Sequence, residues 1–359
     1  MVGAKNIETL ALFFSAGVLA GTLVPANVSL QLSALILPLL AAGLLPARRR
    51  PECIPPLFLL LGVFCAATAA IPAVSPPGAI RPFALETAER FRSFIDRLPF
   101  PSDGTAALLK AFLSGDRSGL DARTVAVFRD SGASHLLALS GLHIGIIYLI
   151  FDKLSRGMGG TRPARVLRYV LITGGAGFFT LMTGASPSLL RAFLFIAIRE
   201  TLSLLGRPAR PAHILCLALL LQLLADPMSI RQTGFQLSYL AMTGIFFLYP
   251  VLEKWYPAGS RLHPLRRLWQ AAALSLSCQV FTAPLVWYRF HTFPRFFLLT
   301  NLLAIPLTTV LMASSVATLL FSAVHICPAA LYRITDALYR LTDALCRLLL
   351  FVLETIAGL

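Results

Sequence analysis

Runs of about twenty residues with almost no charge recur along the whole chain, near 7–24, 28–46, 55–74, 132–151, 166–183, 187–205, 212–226, 229–250, 268–289 and 296–324. A bilayer core of about 30 Å asks for roughly 17 to 25 apolar residues of a helix. Lipid offers no hydrogen bonds to the backbone, so such runs must fold as helices that satisfy their own N–H and C=O groups. The residues therefore predict an all-α polytopic membrane protein with 10–11 transmembrane helices and a few short amphipathic helices outside. Composition excludes the alternative: 57% of residues are hydrophobic and 13% charged, against about 25% charged in soluble domains. The last run is expected to break at Pro306, and a further helix is expected from about 329 to 357. No convincing small-residue cleavage site follows the first run, which reads as an uncleaved helix rather than a signal peptide.

The formal net charge is +15, from Lys+Arg 31 and Asp+Glu 16. Basic residues fall in alternate connections: Arg48, Arg49 and Arg50; Lys153, Arg156, Arg162, Arg165 and Arg168; Arg207 and Arg210; Lys254, Arg261, Arg266 and Arg267. The positive-inside rule places these loops and the N-terminus in the cytoplasm. Residues 76–131 then lie outside, with eight basic and seven acidic side chains between 79 and 131. Most of the basicity is thus a mark of orientation, and a high isoelectric point says little about nucleic acid. Outside those loops and the mixed-charge segment, Arg191, Arg289 and Arg295 remain as positive charges free to meet an anion.

Residues 76–131 read as short amphipathic helices in ETAERFRSFIDRL, GTAALLKAFLSG and LDARTVAVFRDSG. The C-terminal stretch repeats LYRITDA as LYRLTDA, and on a helical wheel Arg333, Asp336, Arg340, Asp343, Arg347 and Glu354 form one charged stripe whose signs alternate. Two readings stand for that stripe: an interfacial or self-paired packing helix, or the lining of a watery passage. The cysteines at 53, 65, 216, 278, 327 and 346 show no CxxC spacing and read as small buried hydrophobes. Four segments result: 1–75 with three helices, 76–131 external, 132–325 as the core, and 326–359 as a charged-stripe helix.

The most informative stretch is GASHLLALSGLHIGII at 132–147. Read as one helix, it gathers His135, Ser140 and His143 on one face, with Ser134, Ala138, Gly141 and Gly145 opposite. The small face predicts close helix packing through Ala138, Gly141 and Gly145. The polar face must look into a bundle or a water-filled cavity. Ser140 and His143 are also a candidate nucleophile and base, but no GxSxG and no orienting carboxylate accompany them. His135 and His143 lack further metal ligands at a recognised spacing, so no metal and no cofactor is expected.

The longer run GDRSGLDARTVAVFRDSGASHLLALSGLHIGII resembles the signature of the ComEC family of competence proteins. Further stretches follow in that family's order: ASPSLLRAFLF, ADPMSIRQTGFQLSYLAMTGI, SCQVFTAPLVWYRFHTFP and LLTNLLAIPLTT, together covering about residues 105–325. The resemblance implies an inner-membrane channel that imports single-stranded DNA, with a separate nuclease, an external DNA receptor and a cytoplasmic motor as partners beside membrane lipid. Longer members carry an external OB-like domain and a C-terminal metallo-β-lactamase-like domain. Only about ten residues separate the third run from the first amphipathic helix, and no paired-histidine metal motif is found. The expectation is the channel module without a nuclease activity of its own.

On this reading Arg191 is either a snorkelling residue or a charge facing a phosphate-admitting passage. The family's retention of Arg at this place in the motif favours the passage. Ser186 and Pro187 are placed to start its helix. Gln236 and Ser238 either link helices or line the path. Asn301 and Pro306 bring polarity into the tenth run, Asp226 is positioned to pair with Arg231, and Asp116 with Arg117 reads as a turn or a channel entrance. Two alternatives to the DNA channel remain, an intramembrane hydrolase using Ser140 and His143, and a transporter of another anionic polymer or lipid.

Overall fold

The computed structural model describes residues 5–25, 28, 31–40, 54–69, 80–184, 186–208, 210–256, 264–323 and 329–359. Every regular element among them is helical. In chain order these are α1 (Lys5–Thr22), α2 (Gln31–Leu40), α3 (Ile54–Ala69), α4 (Ile80–Asp96), α5 (Asp103–Ser114), α6 (Ala122–Asp130), α7 (Ser134–Leu137), α8 (Gly141–Ser155), α9 (Arg162–Met182), α10 (Pro187–Leu204), α11 (Pro211–Ala225), α12 (Thr233–Phe247), α13 (Tyr249–Lys254), α14 (Pro264–Phe290), α15 (Phe297–Ala323) and α16 (Ala329–Ala357). Among the described residues three stretches, Thr233–Lys254, Leu265–Phe290 and Phe297–Ala323, are long and apolar enough to cross a membrane, and α1, α2, α3 and α11 are shorter apolar helices. The expected all-α membrane architecture is what the chain adopts.

The chain forms two compact units. One comprises residues 1–78, 160–169 and 193–236. Its α1 and α3 lie backbone to backbone: a Cβ at Gly17 would collide with the Leu59 carbonyl, and one at Gly62 with the Phe14 carbonyl. Small residues allow this approach where apolar burial alone drives little association. Ile198, Ile214 and Ala218 form a small core with Leu194, Phe195, Leu202 and Leu217.

The other unit comprises residues 79–159, 170–192 and 237–359. Its core draws on α4 through α8, α15 and α16, with Phe112, Phe128, Leu136, Ile146, Leu311 and Leu353 buried. The expected amphipathic helices of 76–131 are present as α4, α5 and α6, but α5 buries Leu108, Leu109, Ala111, Phe112 and Leu113 and is a core helix, not a surface one. Its N-terminus is closed from α16: Asp343 accepts from the Ser102 N–H and hydroxyl, both at 3.1 Å, and from the Thr105 hydroxyl at 2.6 Å. Asp343 also pairs with Arg347 at 3.1 Å, and Arg340 with Asp336 at 3.0 Å, so the charged stripe is largely paired within itself. Gly132, at φ +80°, packs against Pro294, and the Thr300 hydroxyl donates to the Ser131 carbonyl at 2.6 Å.

Several expectations are corrected. Residues 132–151 are not one helix: after α7 the chain is extended at Ala138 (φ −82°, ψ 127°) and Ser140 (φ −127°, ψ 171°) before α8 begins. The Ser140 hydroxyl accepts the Leu142 N–H at 3.3 Å, and that cap, with Gly141 as first helical residue, starts a new helix in place of continuing the old one. α15 runs unbroken through Pro306, as α14 does through Pro284. Arg231 does not pair with Asp226; it donates to the Thr22 carbonyl at 3.5 Å, while Asp226 caps the following turn through the Met228 N–H at 3.0 Å. Asp116 accepts from the Ser118 N–H and hydroxyl, the turn expected of it. The Arg48–Arg50 loop, Arg261, Cys53, Cys327 and the expected boundaries at 75/76 and 325/326 lie outside the described residues.

Candidate functional site

Two of the motifs, those of Ser140 and of Arg191, lie side by side at the start of α8. Ser140 caps that helix, and His143, one turn on, closes the cap from the other side: its Nδ1 accepts the Ser140 backbone N–H at 3.1 Å and lies 3.0 Å from the Ser140 hydroxyl. A ring nitrogen that accepts a backbone N–H is unprotonated, so neutral His143 carries its proton on Nε2. The ring is 1% exposed and stacks on Phe112 at 6.2 Å between centroids. Its Nε2 is buried without a partner among the described residues. His135 stands apart on α7, exposed, with Nδ1 3.2 Å from the Gly132 carbonyl. The continuous polar face expected of His135, Ser140 and His143 is therefore two separate features.

The small face is likewise undone. Ala138 is exposed in the extended link, and a Cβ on Gly145 would meet nothing within 4 Å. Gly141 has a neighbour, because an added Cβ would lie 3.5 Å from the Ala192 Cβ and 3.9 Å from Arg191 Nη2. Backbones meet instead at Gly244, where a Cβ would run into the Ser277 carbonyl.

Arg191 lies in the second turn of α10 with 8% of its surface exposed. Its guanidinium sits over the Tyr239 ring at 5.7 Å, and Nη1 has no hydrogen-bond partner among the described residues. No carboxylate among the described residues pairs with it. Burying a charge without an opposite charge is costly, so this arginine needs a further partner. One turn before it, the Ser188 hydroxyl lies 3.3 Å from that of Ser238 on α12. Ser186 accepts the Leu189 N–H at 3.5 Å, the capping role expected of it. Gln236 belongs to the first unit and is spent locally, its amide donating to the Ile230 carbonyl at 2.8 Å.

The remaining candidates lie at the junction of α14 and α15 and along α15. Arg289 and Arg295 are exposed, Arg289 over the Tyr288 ring at 5.9 Å. Among the described residues three further buried polar atoms have no partner: the side-chain oxygen of Asn301, the hydroxyl of Thr308, seven residues on and on the same face, and the amide nitrogen of Gln279 on α14. Tyr239, Ser188, Gln279 and Thr308 escaped the sequence reading. A seven-residue step from Asn301 pointed to Thr308, whereas nothing local ties Tyr239 to an arginine 48 positions away.

The chain is 29% identical over 217 residues to ComE operon protein 3 of Bacillus subtilis (strain 168), covering 60% of this chain and 26% of that protein. It is 30% identical over 210 residues to competence protein ComA of Neisseria gonorrhoeae, covering 57% of this chain and 29% of that protein. It is 31% identical over 219 residues to the uncharacterized protein YcaI of Escherichia coli (strain K12), covering 59% and 28%. The aligned part thus spans between a quarter and a third of each relative's length. No solved structure matches the chain. The family described as Competence protein matches residues 112–359, which holds α8, Arg191, Tyr239 and α15 alike, and the chain belongs to that family.

Proposed function

We propose that this protein is a channel in the bacterial inner membrane that conducts single-stranded DNA inward during natural transformation, with its N-terminus and basic loops in the cytoplasm. Family membership supports the role in DNA uptake. The observation that carries the channel reading is a set of buried polar atoms without partners among the described residues, on four helices of the matched region: His143 Nε2 on α8, Arg191 Nη1 on α10, Gln279 Nε2 on α14, and Asn301 Oδ1 and Thr308 Oγ1 on α15. In an apolar bundle each such group costs about 1–3 kcal/mol. Water or a polar substrate between the helices removes that cost. A hydrated passage with sparse donors and aromatic rings suits a strand whose backbone is charged and whose bases are flat. The protein then needs no catalytic step of its own; degradation of the second strand, capture of DNA outside and the driving force fall to a separate nuclease, receptor and motor.

A second reading, an intramembrane hydrolase, draws on the 3.0 Å contact between the Ser140 hydroxyl and His143. The capping geometry accounts for the same contact. The test is uptake of labelled DNA by cells lacking the gene and by cells complemented with wild type, Ser140→Ala or Arg191→Gln. A channel loses uptake with Arg191→Gln and keeps much of it with Ser140→Ala; a hydrolase is abolished by Ser140→Ala.

A further inference from the structure

The guanidinium of Arg191 lies beside Gly141 at the N-terminus of α8, and no carboxylate among the described residues pairs with it. Gly141 is the first residue of a 15-residue helix, and a helix N-terminus carries the equivalent of about half a positive charge. Ser140 caps the Leu142 N–H, while the N–H of Gly141 donates to no described group. An added Cβ on Gly141 would lie 3.9 Å from Arg191 Nη2. Arg191 is more than nine-tenths buried and its Nη1 donates to no described group. Two positive ends facing one another out of water repel, and the arrangement becomes favourable only when an anion joins them. The Ser188 and Ser238 hydroxyls, one turn from Arg191 on α10 and next to Tyr239 on α12, add neutral donors to the neighbourhood.

We propose that this junction binds a single phosphate-class oxyanion, gripped by the Arg191 fork and the free N–H of Gly141. The planar guanidinium matches two phosphate oxygens at once, which a lysine does not. Gly141 keeps the approach open: an alanine there makes ordinary contacts with Ala192 and Arg191, whereas a leucine enters the space in front of the guanidinium. The identity of the anion rests on the channel reading, in which it is the phosphodiester of the passing strand. A lipid headgroup offers the same chemistry.

The test is thermal unfolding of the purified full chain in detergent, with sodium phosphate, a dT20 oligonucleotide or short-chain phosphatidylglycerol added at ionic strength matched by sodium chloride. Phosphate and dT20 should raise the melting temperature of the wild type, and a rise with phosphatidylglycerol alone would assign the site to lipid and overturn the strand as its occupant. Arg191→Gln should abolish the rise with phosphate, yet melt without phosphate at or above the wild type, because an unpaired buried charge has been removed. Arg191→Lys should need roughly tenfold more phosphate for the same rise, and Gly141→Leu should lose the response with the arginine still present. An unchanged response in Arg191→Gln and Gly141→Leu overturns the proposal, as does an Arg191→Gln protein that melts far below wild type in chloride. A response that depends on Arg191, in a protein whose deletion leaves DNA uptake normal, keeps the anion site and removes the channel. Uptake that needs the protein, beside a response indifferent to Arg191, does the reverse.

Discussion

Ser140 holds its place by caps on both sides: it accepts the Leu142 N–H and lends its own N–H to His143. Replacing it with alanine should destabilise the protein by about 1 kcal/mol, seen as a lower melting temperature, and Ser140→Thr should restore most of that while preserving uptake. Loss of uptake in a stable Ser140→Thr protein would speak for the hydrolase. Asp116, in the turn after α5, gives a pH signature. Hydrogen bonds from the Ser118 hydroxyl and N–H hold its carboxyl below the ordinary range. A lowered folded pKa means that the turn's contribution is full above the unfolded value and is lost only as pH falls through the folded one. A titration of the Asp116 carboxyl by carbon NMR should therefore show a midpoint below that of a free aspartate, and Ser118→Ala should move it up. Some of this was legible in the residues. Arg191 stood out as a charge in an apolar run, and the Asp116 turn was written in D-x-S. The cap at Ser140 was concealed because histidine stands where a capping box usually has glutamate or glutamine.

Among the elements, α8 and α16 show where periodicity informs and where it misleads. The repeat in α16 foretold a charged stripe with alternating signs, and the Arg340–Asp336 and Arg347–Asp343 pairs realise it. It did not foretell that Asp343 is 1% exposed and caps α5, because that depends on which helix packs there. Asp343→Ala should cost about 3 kcal/mol, since it strands the donors of Ser102 and Thr105 and unpairs Arg347; Asp343→Asn should recover part of that. Differential unfolding of the two variants checks the order. The wheel drawn through 132–147 failed for a related reason. A 3.6-residue period survives on paper across a non-helical link, whereas the side chains on its two sides face according to two separate helices. Proline misled in the other direction: α14 and α15 keep their course through Pro284 and Pro306, as membrane helices often do when neighbours satisfy the freed carbonyls.

For the molecule as a whole, apolar runs and basic loops made the helical membrane class readable from the residues, since lipid leaves few alternatives to a helix. The chain's long-range pairings were not readable, because one apolar helix face resembles another. Orientation is testable by itself. A cysteine placed at the exposed Ser118 should react with an impermeant maleimide on intact cells, and one at the exposed Arg165 only after the membrane is opened; the reverse pattern would invert the orientation. Passage of a strand is measured by transfer of strand-labelled DNA into the cytoplasm of a deletion strain, with and without the wild-type gene. If the protein conducts the strand, cytoplasmic single-stranded label vanishes on deletion, returns with the wild type and stays absent with Arg191→Gln. Undiminished cytoplasmic label in the deletion strain would contradict it.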